Sequence, residues 1–291
     1  MGSEMCIRDS YTSPHLLRFN ERISVNDECI SNNEIISFID AYTEDIDRIS
    51  STFFETTTAM ALTHFANKKV DFAVIEVGLG GRLDATNIVD SDISIITSIG
   101  IDHTEFLGNT IDSIALEKAG VMRPFKTCIY AQENPPAALL KYAKNKSVNL
   151  LIHNNDYRVS LGSSNWSLKS KNNSINEIPN LKMIGDYQYN YAGASLLALD
   201  AILPECLRDH DVIKKALSET EISGRFQYLS KSPDIILDVA HNEDAARSLS
   251  DNIKKIGYDK IIAVLGVLAD KDVYSIVEPF SSLVDLSLIH I

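Results

Sequence analysis

Three segments of the chain set acids, a histidine and a lysine where they could do chemistry. In Glu76-Val77-Gly78-Leu79-Gly80-Gly81-Arg82-Leu83-Asp84-Ala85-Thr86-Asn87, an acid sits inside a β-branched run and three glycines follow. A buried carboxylate needs a partner such as a metal ion, and glycines let backbone approach a ligand closely. The spacing is no dinucleotide fingerprint, because Leu83 stands where a third spaced glycine would be needed. Gly100-Ile101-Asp102-His103-Thr104 ends a second apolar run in a potential ligand. Glutamate, histidine and a hydroxyl make a hard-to-borderline metal set, although a lone histidine is more often a hydrogen-bonding residue. In Glu117-Lys118-Ala119-Gly120, Lys118 extends the helical stripe Ile111, Ile114, Ala115. A lysine there is paired, neutralised or modified, or it snorkels to the surface. Spacing alone does not separate these.

Two further segments lie later in the chain. Gly224-Arg225-Phe226-Gln227 puts an arginine at an expected domain boundary, where it suits a phosphate. Asp238-Val239-Ala240-His241-Asn242 closes a strand and opens a helix, with Asn242 as N-cap. Asp238 and His241 then fall at the C-terminal edge of the sheet, the ligand side of open α/β folds. No GxxxxGK[ST] loop, GxSxG elbow or HExxH pair occurs.

The elements that must carry these residues alternate. Apolar runs predict strands at Asp71–Val77, Ile93–Ile99, Thr127–Tyr130, Ile235–Val239 and Ile261–Leu265. Being nearly continuous rather than alternating, they suit a sheet covered on both faces. Helical stripes fall at Thr56–Lys68, Gln188–Leu203 and Glu243–Ile256, with Gly257 as a stop. The alternation predicts an α/β fold with a mostly parallel central sheet flanked by helices. Residues 160–180, polar around Trp166 and Ile175, read as a small β-hairpin or meander. The turn Ser223-Gly224 marks a boundary, giving a central domain over 11–222 and a smaller α/β domain over 223–285.

The chain has 291 residues and a net charge of −13, against the basic footprint that non-specific nucleic-acid binding requires. No apolar run reaches membrane-spanning length, and no secretory signal opens the chain. Cys6, Cys29, Cys128 and Cys206 are too scattered for a zinc knuckle or redox pair and read as reduced thiols of a cytoplasmic protein. Residues 1–10 (MGSEMCIRDS) and 286–291 (LSLIHI) share no pattern with the rest, read as non-native ends, and are set aside from the fold.

Taken in order, the segments resemble the folylpolyglutamate synthase / dihydrofolate synthase family of the Mur ligase superfamily. Besides those above, the resemblance rests on Thr12-Ser13-Pro14-His15, Arg18-Phe19-Asn20-Glu21-Arg22, Thr52-Phe53-Phe54-Glu55 and Asp270-Lys271-Asp272. It covers about Tyr11 to Asp285, and EVGLGGRLDATN is its most specific part. The resemblance implies a ligase that joins L-glutamate to dihydropteroate or folates with ATP and Mg²⁺ through an acyl phosphate, acting as a monomer. It implies Ser13, Glu76 and His103 as metal ligands, and Lys118 as a lysine carbamylated by CO₂. Glu76, His103 and Lys118 form the implied catalytic set. Arg225, Asp238 and His241 are implied nucleotide contacts, and Thr52, Phe54 and Asp84 pterin-side contacts. The family's first strand and Gly-rich phosphate loop, which precede the Ser-Pro motif, have no counterpart here, so little ATP turnover is expected of these 291 residues. A Mur-type peptidoglycan ligase and a non-catalytic folate or pterin binder are the alternatives.

Overall fold

The computed structural model describes residues 8–268 and 271–290. The N-terminal region opens with strands Arg8–Tyr11 (β1), Ile23–Val25 (β2) and Glu28–Cys29 (β3). Two helices follow, Asn32–Ile49 (α1) and Phe53–Lys68 (α2), then strand Phe72–Ile75 (β4). Each helix starts at a hydroxyl cap that a glutamate three residues on reciprocates: Ser31 with Glu34 and Thr52 with Glu55. That cap is why α2 begins at Phe53, earlier than the apolar stripe alone suggests. The four strands form one sheet in the order β3-β2-β1-β4, with only β1 and β4 parallel. Tyr11, Ile23, Met60 and Phe65 fill the space between this sheet and α2.

A second sheet follows, built from Ile93–Ile96 (β5), Thr127–Tyr130 (β6) and Asn149–Ile152 (β7), all parallel. Between its strands run Thr104–Leu107 (α3), Ile111–Ala119 (α4) and Ala137–Asn145 (α5). Ile96, Ala115, Ala119, Cys128, Leu139 and Ala143 make its core. The expected meander is present as Tyr157–Leu161 (β8), Asn165–Ser170 (β9) and Ser174–Pro179 (β10), all antiparallel. Trp166, Ile175 and Ile178 pack there against Asp186–Ile202 (α6) and His210–Glu219 (α7).

The C-terminal region holds the hairpin Gln227–Lys231 (β11) and Asp234–Leu237 (β12), then Glu243–Ile256 (α8). After these come Ile262–Gly266 (β13), Val273–Val277 (α9) and Leu286–His290 (β14), with β13 and β14 parallel. Ala246, Ile276 and Phe280 form a small separate core.

The α/β class with a helix-flanked parallel sheet stands, but three expectations change. The central sheet is split into two ladders, since β4 and β5 do not pair with each other among the described residues. Val74 of β4 is 71% exposed, so that strand is not covered on both faces. The run at 235–239 is not a buried parallel strand: it forms the antiparallel β12, with Ile235 exposed, because β11 folds back on it. The segments set aside at the two ends are paired in part. Asp9 and Ser10 pair with both β2 and β4, Arg8 with β4, and Leu286–His290 with β13, since each offers extended backbone to an open edge.

Candidate functional site

The glycine-rich segment and the end of α4 form one interlocked unit. Arg82 N–H donates to the Glu117 carbonyl at 2.8 Å, and the Arg82 guanidinium reaches the Glu117 carboxylate at 2.8 Å. Asn87 donates to the Gly120 carbonyl at 3.1 Å. Gly120 lies so close that a Cβ there would stand 2.3 Å from the Arg82 Cα, a clash with backbone that no side-chain rotation relieves. Asp84 spends both carboxylate oxygens on this unit. One accepts from Leu79 N–H at 2.9 Å; the other accepts from Thr86 N–H at 2.9 Å and the Thr86 hydroxyl at 2.6 Å. Arg123, which sequence reasoning missed, closes the unit from below by donating to Asp90, Asn87 and Val89 at 2.8–2.9 Å. Nothing in its local sequence marks it beyond a cation three residues after Gly120.

Two of the expected pterin-side contacts make bonds within the fold. Asp84 is committed to the loop, and Thr52 caps α2 by accepting from Glu55 N–H at 3.2 Å. Phe54 lies against the loop itself: a Cβ on Gly78 would fall 2.4 Å from its ring.

The expected metal set divides into two clusters. Ser13 and Glu76 meet, with the Ser13 N–H donating to a Glu76 carboxylate oxygen at 2.8 Å. The pairing follows from topology, because β1 and β4 run parallel and end side by side. His103 instead falls with Asp102 and His241, and Glu76 is not in that group. As donors, a carboxylate and a hydroxyl at residues 76 and 13 fit a hard cation such as Mg²⁺. The Asp102–His103–His241 group fits one poorly. Both Asp102 oxygens are already taken by donors, and the Lys271 ammonium stands 3.2 Å from one of them. A cation there would meet another cation.

Asp102 is where the two regions join. Its Oδ1 accepts from His103 N–H at 2.7 Å and from Lys271 Nζ at 3.2 Å. Its Oδ2 accepts from Asn242 Nδ2 at 2.9 Å, with His241 Nε2 at 3.8 Å. Burial works against ionisation here, but the hydrogen bonds from Asn242, the His103 amide and Lys271 outweigh it and hold the carboxyl at about 2. His103 itself takes a left-handed backbone conformation with φ 50°, opening α3.

Lys118 is half-buried near the end of α4, beyond the buried Ile114 and Ala115. Loss of water around it pulls its pKa down, and the Asp102 charge opposes that fall. Lys118 has no hydrogen bond or ion pair with the described residues, so the stripe position is that of a desolvated, unpaired amine rather than a salt bridge.

Arg225 is exposed in the linker, and its charge lies near the Tyr187 and Tyr191 hydroxyls of α6. Asp238 ties the linker to β12 by accepting from Phe226 N–H and Ala240 N–H, both at 2.8 Å. That role uses both its oxygens. His241 is exposed, with Nδ1 3.0 Å from the Val239 carbonyl. Asn242 caps α8, as its position before the helix predicts, by accepting from Ala245 N–H at 3.0 Å. Its bond to Asp102 was not foreseen; the only signal for that contact was the nearness of DVAHN to a strand end. Of the Asp270-Lys271-Asp272 motif, Asp270 lies outside the described residues.

The chain and its α/β layers match a known class. Residues 29–198 match the Mur ligase middle domain, and residues 224–289 match the Mur ligase glutamate ligase domain. The chain belongs to the Mur ligase family. A dihydrofolate synthase/folylpolyglutamate synthase of Buchnera aphidicola subsp. Acyrthosiphon pisum is 38% identical over 276 residues, 94% of this chain and 65% of that protein. The structure of E. coli FolC in complex with DHPP and ADP superposes with a TM-score of 0.91 at 34% identity, covering 97% of this chain and 67% of that one. A bifunctional folylpolyglutamate synthase/dihydrofolate synthase with Mn, AMPPNP and L-glutamate bound gives 0.88 at 35%, covering 97% and 68%. Within the family, the chain groups with the dihydrofolate synthase/folylpolyglutamate synthases. It spans a little under two thirds of the length of the first curated relatives it matches.

Proposed function

We propose that the chain is part of an ATP-dependent ligase that joins L-glutamate to dihydropteroate, to folates or to both, with a central domain over 11–222 and a glutamate-ligase domain from residue 223. The observation that carries this reading is the desolvated, unpaired Lys118 facing Asp102 where the two regions meet. Relatives that hold ADP or AMPPNP, Mn and L-glutamate support the substrate assignment. A carboxylate is a poor electrophile, so phosphoryl transfer must activate it before the glutamate amine attacks and phosphate leaves. Mg²⁺ held by Ser13 and Glu76 would supply charge neutralisation at the phosphates.

The chain's own residues would do the rest. A neutral amine reacts with CO₂, and Lys118 is held toward that form by burial. Addition of that amine to CO₂ forms an N–C bond and releases one proton, so the side chain becomes an anion that would need a cation beside it. Arg225, exposed at the linker surface and free of any ion pair among the described residues, would meet phosphate oxygens. His241, exposed beside the joint, would face the nucleotide from the second domain. Phe54, laid against Gly78, would line the pterin side.

Titration calorimetry of this chain with dihydropteroate, dihydrofolate and a UDP-muramoyl peptide tests the branch. Heat with a pteridine ligand and none with the muramoyl ligand is expected, and the reverse pattern overturns the reading.

A further inference from the structure

Four features converge on the loop 100–103. The Asp102 carboxylate takes hydrogen bonds from Asn242 at 2.9 Å and Lys271 at 3.2 Å, residues 140 and 169 positions away in the chain. The first turn of α8 rests directly on the same loop, so that a Cβ on Gly100 would stand 2.5 Å from the Asp244 carboxylate. The Lys271–Asp102 pair is shielded, with the lysine side chain 15% exposed. A second cross-region pair, Lys255–Asp186 at 2.8 Å, is open to water on both sides and so contributes little. Asp102 also bonds the His103 amide, and Lys118 feels its charge.

We propose that Asp102 is a positioning residue: through Lys271 and Asn242 its carboxylate latches the C-terminal region onto the loop that carries His103. It touches no substrate. It sets how closely the residues of the C-terminal region face His103 and Lys118. Two modest-sized regions joined by a short linker otherwise move relative to one another by default. A charge-assisted contact that is shielded from water is strong enough to choose one arrangement, yet it lies at an edge from which it can let go. The proposal rests on the ligase reading only for its purpose, since substrates held between two regions need a defined separation.

The test measures separation, not turnover, so it stands apart from the fate of the ligase reading. Spin labels go on cysteines at Lys141 of α5 and Asp251 of α8, both exposed, with Cys6, Cys29 and Cys206 replaced by serine. Pulsed dipolar spectroscopy of the parent chain should give one narrow distance. Asp102→Ala and Lys271→Met should each broaden the distribution, at least about twofold in width. The double variant should be no broader than Asp102→Ala alone, because Lys271 acts through that carboxylate. Lys271→Arg, which keeps the charge, should restore the narrow distance, and Lys255→Ser should leave it unchanged. Circular dichroism identifies any variant that unfolds, in which case the other single variant decides. A narrow distance kept in Asp102→Ala or in Lys271→Met overturns the proposal, as does Lys255→Ser broadening the distribution as much as they do.

Discussion

The unit formed by residues 78–90 with the end of α4, and the joint formed by residues 100–103 with 241–244 and 271, are held in different ways. In the first, backbone meets backbone, with Gly120 against Arg82 and Arg82 N–H on the Glu117 carbonyl, and the Asn87 side chain adds a bond to the Gly120 carbonyl. In the second, the hydrogen bonds between the regions come from side chains, through a single carboxylate. Backbone packing leaves no alternative arrangement, because interiors are close-packed and do not yield by fractions of an ångström without cost. A side-chain contact has rotamers to spare. One motif therefore fixes a shape, whereas the other selects between positions.

That contrast is most easily broken at Gly120. Gly120→Ala places a methyl against the Arg82 backbone, and it should destabilise the chain by about 3 kcal/mol. Urea unfolding checks this, and a loss near zero would mean that the loop and α4 are free to part.

A carboxylate with no donor at all sharpens the comparison. Asp84 and Asp102 have every oxygen engaged, whereas Asp9 on β1 is 4% exposed and neither of its oxygens has a partner among the described residues. Desolvation raises its carboxyl to about 6 from an ordinary 3.8. The folded chain then binds more protons than the unfolded chain between those values, so this residue's contribution makes stability fall as pH rises from about 4 to 6. Asp9→Val should gain about 1–3 kcal/mol at pH 7 and much less at pH 4. Chemical denaturation of both chains across that range reads the difference. A gain independent of pH would show that the acid is solvated.

At the joint the expected effect on stability is smallest. Asp102→Asn keeps the shape and one acceptor, and it should cost global stability under about 1 kcal/mol. A loss as large as that of Gly120→Ala would erase the distinction between the two regions.

Much of this was legible in the sequence because it is local. Helix Glu243–Ile256 appears at its expected bounds, since Asn242 and Gly257 are cap and stop within the same short stretch. The strand Thr127–Tyr130 and the meander around Trp166 were equally plain. What failed was long-range. The antiparallel pairing of β12 depends on β11 folding back, and an apolar run does not state its partner. The resemblance implied Asp84 as a pterin-side contact, and local pattern did not state the three donors it holds within the loop. Ser13 and Glu76 meet as expected, since parallel strands that start in register end together. His103 falls with Asp102 and His241, a grouping not foreseen, because a contact across 140 residues leaves no trace in local pattern. The stripe left Lys118 open between a buried and a snorkelling lysine, and the structure half-buries it.

The claim that Lys118 is a reactive amine rather than a surface cation is open to direct measurement. The chain is incubated with ¹³C-bicarbonate, and its ¹³C spectrum is recorded beside that of Lys118→Arg, which keeps the charge but takes up no CO₂. The account predicts a carbamate resonance in the parent chain that is missing from the variant. Identical spectra from the two chains would contradict it.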